Sequence, residues 1–409
     1  MPAAMADAPP PPEPPTELSS ALPPELPGAP PSEPPRAEVA GNRLTLLPDG
    51  PARLEALIAL IDEAKESLRF LYYIFLDDAS GTRVRDALIA AANRGVAVSL
   101  LVDGFGSPGN IAFFQPLLDT NASFCRFSPH WGRRYLLRNH QKLALADGRR
   151  VIIGGFNISD DYFGPVEAGA WRDVGLEVEG ESVSCLTRYF DGLFRWTQSP
   201  NPRIRDLRRM LQQSSVTEGR LHWLFGGPTR RLSPWARAVR RDMLGARRLD
   251  IIAAYFAPSP SILRRMARVA RRGRTRLVTA GKSDNKATVA AARFTYSYLL
   301  KRGVEVYEYA PTKLHTKLFV VDDVVHIGSA NFDMRSLFLN LEMMLRVEDA
   351  GFASAMRLFF DGEVANSARI TAEEHRRQRT VFNRLKWAIG WFIVAVADYR
   401  ISRRLNFRA

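Results

Sequence analysis

Two stretches of the sequence carry the same reactive residues at the same spacing. Each reads H-x-K-x4-D and is followed by G-[GS]-x-N. The shared residues are His140, Lys142, Asp147 and Asn157 in the first copy, and His315, Lys317, Asp322 and Asn331 in the second copy, which also has Ser329 where the first copy has glycine. A single short pattern often arises by chance, whereas two copies at equivalent points of a duplicated module indicate a functional site.

Two imidazoles and two ammonium groups around one small volume would suit a phosphodiester. We expect Lys142 and Lys317 to neutralise the non-bridging oxygens, and Asn157, Asn331 and Ser329 to donate hydrogen bonds to them. One neutral histidine would attack phosphorus, while the other, protonated, would donate its proton to the leaving oxygen. An imidazole pKa of about 6.5 makes both states accessible near neutral pH.

The aspartates of the two patterns are expected to play a supporting part. On a strand, His140 and Lys142 face the same side because they are two positions apart. Asp147 has the opposite parity and is followed by glycine, which is typical of a turn. The same parity holds for Asp322, so we predict that both aspartates stabilise the site without taking part in the chemistry.

Each histidine also needs an acceptor that orients its second ring nitrogen. Asp173 follows His140 in the first copy, and Glu342 follows His315 at a similar place in the second copy. We predict that Asp173 and Glu342 are the two orienting carboxylates.

The elements around these residues read as mixed α/β, twice over. Apolar periodicity predicts helices at 54–64 and 82–94 and strands at 68–76 and 96–102 in the first copy. It predicts helices at 235–247 and 261–272 and strands at 249–256 and 274–280 in the second. We therefore expect two duplicated domains, each a mixed sheet flanked by helices, packed about a pseudo-twofold axis so that the two His-Lys pairs meet.

The predicted division of the chain follows from composition. Residues 1–36 hold 14 of the 27 prolines and are acidic, as in a disordered tail. The predicted segments are a tail at 1–40, a first domain at 41–200, an arginine-rich linker at 201–234, a second domain at 235–370 and a basic, aromatic helical segment at 371–409.

Composition also narrows the class of protein and its partners. The chain has 409 residues, 46% of them hydrophobic, and only two cysteines, which excludes a disordered chain and a disulfide scaffold. The net charge of +14 favours an anionic partner, either nucleic acid or acidic lipid. No zinc-type spacing of His and Cys and no phosphate-binding G-x4-G-K-[ST] loop occurs in the sequence, so we expect neither a metal nor a cofactor.

Two basic segments could reach a lipid surface. They are 202–250, which is rich in arginine, and 371–409, where an apolar run at 387–397 is flanked by Arg384, Lys386, Arg400, Arg403 and Arg404. This run covers roughly half of a bilayer core, so we expect it to lie in the membrane interface and not to cross. Docking of the run on the protein's own core is the alternative.

The paired patterns and their surroundings resemble the phospholipase D superfamily, and within it the bacterial cardiolipin synthases. The matching strings are RNHQK at 138–142, GGFN at 154–157, WRD at 171–173, YEYAP at 307–311, LHTK at 314–317, GSANFDMRS at 328–336 and NLE at 340–342. The resemblance implies metal-independent transfer through a phosphohistidine, in which two phosphatidylglycerol molecules give cardiolipin and glycerol. Analogy with the family favours His140 as the nucleophile.

The resemblance extends from about residue 43 to 380 and is closest to the short members of the family, which have no N-terminal membrane spans. It implies an enzyme peripheral or monotopic at the cytoplasmic face of the bacterial inner membrane. Three alternatives remain open from the residues: a hydrolytic phospholipase D, a metal-independent nuclease or phosphodiesterase, and a lipid-binding scaffold without activity. The intact His-Lys pairs disfavour the scaffold, and the aromatic C-terminal run suits lipid better than base stacking.

Overall fold

A computed structural model of the chain describes residues 35–107, 111–128, 137–229 and 232–397. The predicted proline-rich tail lies outside the described residues up to position 34, as do Arg400, Arg403 and Arg404 of the C-terminal segment. The described residues belong to one compact unit, so the two predicted domains are repeats that share one body.

The first repeat is built on an eight-stranded mixed sheet. Its strands are β1 Arg36–Val39, β2 Asn42–Leu47, β3 Ser67–Tyr72, β4 Ala97–Asp103, β5 Ser123–Phe127, β6 Leu143–Ala146, β7 Arg150–Gly154 and β8 Gly175–Glu179. Their order across the sheet is β1-β2-β8-β7-β6-β3-β4-β5. The helices are α1 Gly50–Glu63, α2 Ala79–Asn93, α3 Ile111–Leu118, α4 Asp160–Phe163, α5 Cys185–Gln198 and α6 Ile204–Ser214.

The second repeat contains a sheet of the same size. The strands are β9 Leu221–Gly226, β10 Arg248–Ala253, β12 Arg274–Ala280, β13 Glu305–Tyr309, β14 Lys317–Val321, β15 Val324–Gly328, β17 Glu342–Glu348 and β18 Ser367–Ile370, with β11 Phe256–Ala257 and β16 Phe332–Asp333 as a separate pair. The helices are α7 Pro234–Asp242, α8 Pro260–Arg272, α9 Lys286–Leu300, α10 Met334–Phe338, α11 Ala350–Ala365, α12 Ala372–Gln378 and α13 Val381–Trp391.

The two sheets have matching topologies. The second runs β9-β17-β15-β14-β10-β12-β13-β18, so β9, β10 and β14 correspond to β2, β3 and β6 of the first. Strands β3, β4 and β5 are parallel in the first sheet, as are β10, β12 and β13 in the second. The hairpins β6–β7 and β14–β15, which follow the His-Lys patterns, are antiparallel. The predicted fold class, two duplicated α/β units with mixed sheets, is confirmed.

The sheets pack face to face and bury one continuous core between them. On β6, Leu143 and Leu145 face this shared core, as do Leu318 and Val320 on β14. The intervening residues of each strand face the helices on the outside. This alternation follows from the two-residue period of a strand, and it produces four layers in the order helix, sheet, sheet, helix.

The segment predicted as a linker, 201–234, differs from the expectation. It contains α6 and the edge strand β9, whose backbone pairs with β17 from Leu221↔Val347 to Gly226↔Glu342. The second repeat therefore begins at β9 and not at residue 235. At the other end of the chain, β1 pairs with β2, so the ordered sheet already starts inside the predicted tail.

One side of the C-terminal helix α13 docks on the protein's own core, which was the alternative expectation for this segment, while contact with a membrane stays a prediction. Trp387 of α13 is buried and stacks on His375 of α12, whereas Gly390 and Trp391 contact Ala290 and Phe294 of α9. The opposite face of α13 is exposed. After α13, Phe392–Ala397 continues as a π-helix. Within the described residues no single helix has the length and apolar character to cross a membrane, although α12 and the stretch Val381–Ala397, bent by 99°, satisfy both criteria when taken together.

Candidate active site

The two His-Lys segments lie at the contact between the repeats, directly before or at the start of β6 and β14. Each one pairs its backbone with the other repeat. The His140 N–H donates to Leu341 O at 2.9 Å, and the His315 N–H donates to Arg172 O at 2.7 Å. These form two short parallel bridges, Asn139↔Leu341 and Arg172↔Leu314, related by the internal symmetry.

This crosswise pairing exchanges the orienting carboxylates between the repeats. Nδ1 of His140 lies 3.1 Å from Oε2 of Glu342, and Nδ1 of His315 lies 2.7 Å from Oδ2 of Asp173. Sequence order had grouped each carboxylate with the histidine of its own copy, which is wrong. The physical reason is that each bridge places the residue after Leu341 or Arg172 next to the histidine of the opposite repeat.

The exchange leaves both histidines in the same state. Because Nδ1 of each ring faces a carboxylate, Nε2 is the nitrogen left for a substrate. Burial lowers the pKa of both imidazoles, which favours the neutral form of each ring near pH 7. The side chain of His140 is 12% exposed and that of His315 is 5% exposed, so both rings are largely buried and His140 is the more accessible of the two.

The two lysines are almost completely buried beside their histidines. Nζ of Lys142 donates to His140 O at 2.7 Å, and Nζ of Lys317 donates to the carbonyl of His315 and lies 2.8 Å from its Nδ1. Burial lowers the pKa of Lys142 to about 7 and that of Lys317 to about 8. The ammonium groups are therefore poised to lose charge unless an anion joins them.

The carboxylates remain ionised despite their burial. Burial alone would raise the pKa of Asp173, but the Lys317 ammonium and the hydrogen bond with His315 outweigh it, and the pKa is lowered. The same balance lowers the pKa of Glu342, whose partners are His140 and Lys142. While both lysines are protonated, their two charges balance those of the two carboxylates, and a bound phosphodiester adds one negative charge that favours protonation of the lysines and of one histidine.

Ser329 differs from its predicted role as a phosphate ligand. Its hydroxyl donates to Oε2 of Glu342 at 2.6 Å and accepts the Met343 N–H at 3.0 Å. Ser336 donates to Oε1 of the same carboxylate at 2.8 Å. Both hydroxyls therefore hold Glu342 in place. Ser336 was missed as a site residue although it lies in the string at 328–336, because spacing alone does not indicate which hydroxyl faces a carboxylate.

The two asparagines lie at the site in equivalent positions. Oδ1 of Asn157 accepts the Ile74 N–H at 3.1 Å, which fixes the orientation of its amide. Oδ1 of Asn331 is buried without a hydrogen-bond partner among the described residues. The residue after each asparagine forms a parallel backbone pair with the segment that follows β3 or β10. Ile158 pairs with Phe75, and Phe332 pairs with Phe256.

Asp147 and Asp322 lie away from the four reactive side chains, in the turns that follow β6 and β14. Both have positive φ, at 52° and 45°. The Asp147 carboxylate accepts the N–H groups of Lys65, Glu66 and Ser67, while that of Asp322 accepts those of Arg247 and Arg248. Each aspartate thus ties its hairpin to the loop that enters the neighbouring strand, β3 or β10.

Sequence reasoning also missed a buried arginine behind the site. Arg53 of α1 donates to the carbonyl oxygens of Asp173 at 2.5 Å and Tyr162 at 2.7 Å. It is 1% exposed. A buried arginine inside an apolar helix is the signal that could have revealed it, because such a charge needs partners.

Aromatic rings form the wall around the histidines. Tyr73 lies 5.1 Å from the His140 ring, and Tyr162, Trp171 and Tyr255 lie 5.1, 5.5 and 6.4 Å from the His315 ring, measured between ring centroids. These rings limit the access of water to the reacting groups. Among the described residues, no group of three or more His, Cys, Asp or Glu side chains is arranged to hold a metal ion.

The chain is similar to known cardiolipin synthases. The chain is 30% identical over 351 residues to cardiolipin synthase A of Pseudomonas aeruginosa, covering 83% of this chain and 71% of that protein. It is 31% identical over 370 residues to cardiolipin synthase B of Salmonella typhimurium, covering 86% and 87%.

Among solved structures, the fold is similar to phosphatidylserine synthase of Haemophilus influenzae, with a TM-score of 0.71, 15% identity and coverage of 88% of this chain and 94% of that one. It is also similar to polyphosphate kinase of Porphyromonas gingivalis, with a TM-score of 0.56, 16% identity and coverage of 82% and 49%. These likenesses show a shared fold.

The family model described as cardiolipin synthase, PLD-like domain, matches residues 57–193 and 242–363. Each matched segment contains one of the two His-Lys patterns. The chain therefore belongs to the cardiolipin synthase, phospholipase D-like family.

Proposed function

We propose that the protein is a cardiolipin synthase-type phosphatidyltransferase that converts two phosphatidylglycerol molecules into cardiolipin and glycerol. The observation that carries the proposal is the crosswise centre, in which each repeat supplies a His-Lys pair and the carboxylate for the other repeat's histidine. Two equivalent imidazoles on one phosphorus provide a nucleophile and an acid at once.

In the first step, Nε2 of one neutral histidine attacks the phosphorus of phosphatidylglycerol. A phosphorus–nitrogen bond forms, the bond from phosphorus to the glycerol headgroup oxygen breaks, and the second histidine donates its proton to that oxygen. Lys142, Lys317, Asn157 and Asn331 would hold the non-bridging oxygens. The bound phosphodiester anion raises the pKa of the imidazole that must carry the proton.

In the second step, the histidine that gave up its proton accepts one from a headgroup hydroxyl of another phosphatidylglycerol. That oxygen attacks phosphorus, the phosphorus–nitrogen bond breaks and cardiolipin leaves. The phosphorus–nitrogen bond retains the free energy of the ester bond that breaks in the first step and drives formation of the new ester bond in the second, so no nucleotide is required. Analogy with the family favours His140 as the nucleophile, and its greater exposure is consistent with this role.

Work on lipid substrates requires contact with a membrane. We place the enzyme at the cytoplasmic face of the bacterial inner membrane, bound peripherally through its basic and aromatic segments. The net charge of +14 and the exposed apolar face of α13 support this placement.

Lipid product analysis tests the proposal. The purified full chain is incubated with phosphatidylglycerol vesicles, and we expect cardiolipin and free glycerol in equal amounts. The variants His140→Ala and His315→Ala should each lose the reaction, while the control His222→Ala, outside the site, keeps it. Phosphatidic acid without cardiolipin would instead indicate a hydrolase, and degradation of DNA without metal would indicate a nuclease.

A further inference from the structure

A crevice separate from the catalytic centre lies between α9 and α13. It has a volume of about 530 Å³ and is lined by Lys282, Lys286, Arg293, Lys386 and Trp387 among others. We name it the α9–α13 crevice. Arg293 is neutralised by a bidentate contact with Glu308, whereas the three lysines have no ion pair with a carboxylate among the described residues.

The exposed face of α13 next to this crevice is apolar. Val381, Phe382, Leu385, Ile389, Phe392 and Ile393 are 48–83% exposed. With about 100° between successive residues of an α-helix, the four positions on α13 share one arc of roughly 100°, and Phe392 and Ile393 follow at the start of the π-helix. Scattered exposed apolar residues are common, but a continuous ridge with two phenylalanines marks a binding surface.

Cations border the ridge on both sides. By the same helical spacing, Lys386 falls at one edge of the apolar arc and Arg384 at the other. Lys386 also lines the crevice, so the ridge and the crevice meet at this residue. An apolar ridge with lysine and arginine at its borders is the pattern of a helix that lies in a membrane interface, because their alkyl stems reach past the lipid while the charges contact phosphates.

The crevice is also connected to the catalytic centre. Asp284, in the loop between β12 and α9 that lines the crevice, accepts a hydrogen bond from Tyr255 at 2.8 Å. The Tyr255 ring lies 6.4 Å from the His315 ring. A bilayer bound at the crevice would therefore lie beside the wall of the catalytic site.

We propose that the α9–α13 crevice binds the phosphate headgroup of an anionic phospholipid that is not the reacting molecule, while the ridge of α13 contacts its acyl chains. The inference rests on the proposed function only in requiring a bilayer that contains anionic lipid. Charge complementarity selects this occupant, since Lys282, Lys286 and Lys386 line the crevice without a carboxylate ion pair among the described residues and lie next to an apolar surface.

Vesicle flotation of the full chain tests the headgroup site. The double variant Lys286→Gln/Lys386→Gln should bind phosphatidylcholine vesicles that contain phosphatidylglycerol roughly 30-fold more weakly than the parent, since each lysine near an anionic surface contributes about a fivefold effect. Binding to pure phosphatidylcholine vesicles should not change. The matched control Lys65→Gln/Lys301→Gln removes the same charge from exposed lysines elsewhere, and its binding to these vesicles should weaken much less.

Two results would overturn the proposal: equal losses in both double variants, which would reduce the effect to net charge, or no loss in the crevice variant. Turnover of a soluble aryl phosphodiester should stay within about twofold of the parent in the crevice variant, which verifies that it is folded. If the parent makes cardiolipin while the crevice variant still floats normally, the proposed function survives and this inference fails.

The ridge has its own test. Phe382→Ser/Leu385→Ser should weaken binding to both kinds of vesicle, because it removes apolar contact and not charge. Sedimentation without lipid should give the same mass for the parent and this variant. A parent dimer that the ridge variant dissociates would identify a second copy as the occupant and would contradict the proposal.

Discussion

Replacing Glu342 with glutamine is expected to slow catalysis by acting on His140, a residue of the other repeat. The Glu342 carboxylate lies 3.1 Å from Nδ1 of His140. A hydrogen bond to a charged group contributes about 1.5–3 kcal/mol. Because this bond is strongest when His140 carries a proton, its loss should lower kcat by roughly 10- to 150-fold, and up to about 10⁴-fold if the ring also adopts the wrong tautomer.

The same free energy predicts the change in ionisation. Removing the anion lowers the pKa of His140 further, because the imidazolium loses its partner. Nuclear magnetic resonance of protein labelled with ¹⁵N at histidine measures this directly, since both ring nitrogens report the tautomer and the titration. Asp173→Asn is the matched variant and should produce the corresponding change at His315, which lies 2.7 Å from it.

The outcome separates the two possible pairings. We expect Glu342→Gln to shift the resonances of His140 and to leave those of His315 close to their parent values. A Glu342→Gln protein in which His315 shifts and His140 does not would refute the crosswise arrangement, and with it the explanation of how the repeats form one centre.

Three further predictions follow from the same contacts. Asp147→Ala should lower the free energy of unfolding in urea by about 1–3 kcal/mol, because three backbone N–H groups lose their acceptor and alanine is strained at a φ of 52°. Asp147→Asn tolerates this φ and should lose less stability, whereas equal stability of all three proteins would contradict the assigned role. The pKa of Lys142 is lowered to about 7 and that of Lys317 to about 8, so raising the pH through this range removes the charges that bind the phosphodiester. We therefore expect kcat/KM for a soluble aryl phosphodiester to fall above pH 7–8 by about tenfold per pH unit for each lysine. Lys142→Arg stays charged and should remove the Lys142 contribution to this fall, whereas a pH profile unchanged from the parent would contradict the role of Lys142. Arg53→Gln should lower kcat about tenfold with little change in KM, because Arg53 holds the backbone of Asp173 in place and does not contact substrate. Partial recovery of kcat in Arg53→Lys would distinguish this positioning role from a general loss of folding.

The sequence was sufficient for the duplication and for the family, because two identical patterns at equivalent points leave few alternatives. It was also sufficient for the face of β6 and β14 that enters the core, since the two-residue period of a strand fixes it. These features depend on local spacing, which a single sequence contains.

The features that were missed depend on contacts between distant residues. The His140–Glu342 contact joins positions 202 residues apart, and only the packing of the repeats decides it. Ser329 was predicted to bind phosphate because the sequence does not show that its hydroxyl donates a hydrogen bond to Glu342. The strand β9 was hidden in an arginine-rich segment, and only its pairing with β17 identifies it as part of the second sheet.

The C-terminal helix shows the same limit at a finer scale. An apolar run at 387–397 could be read from the sequence, but the run alone does not indicate which side is covered. Gly390 lies against Ala290 of α9, where an added Cβ would be only 2.7 Å from the Ala290 Cβ. This close approach fixes the buried side and thereby exposes the ridge that begins at Val381.

A burst experiment tests the central claim, that the two repeats form one centre with one nucleophile and one acid. An aryl phosphodiester whose phenolate leaves without a proton is mixed with each histidine variant, and released phenol is counted per chain. We predict that one of His140→Ala and His315→Ala releases one equivalent and stops, because it lacks only the acid and base, while the other releases none because it lacks the nucleophile. Bursts from both variants, or continued turnover by either, would show that the repeats act independently and would contradict the account.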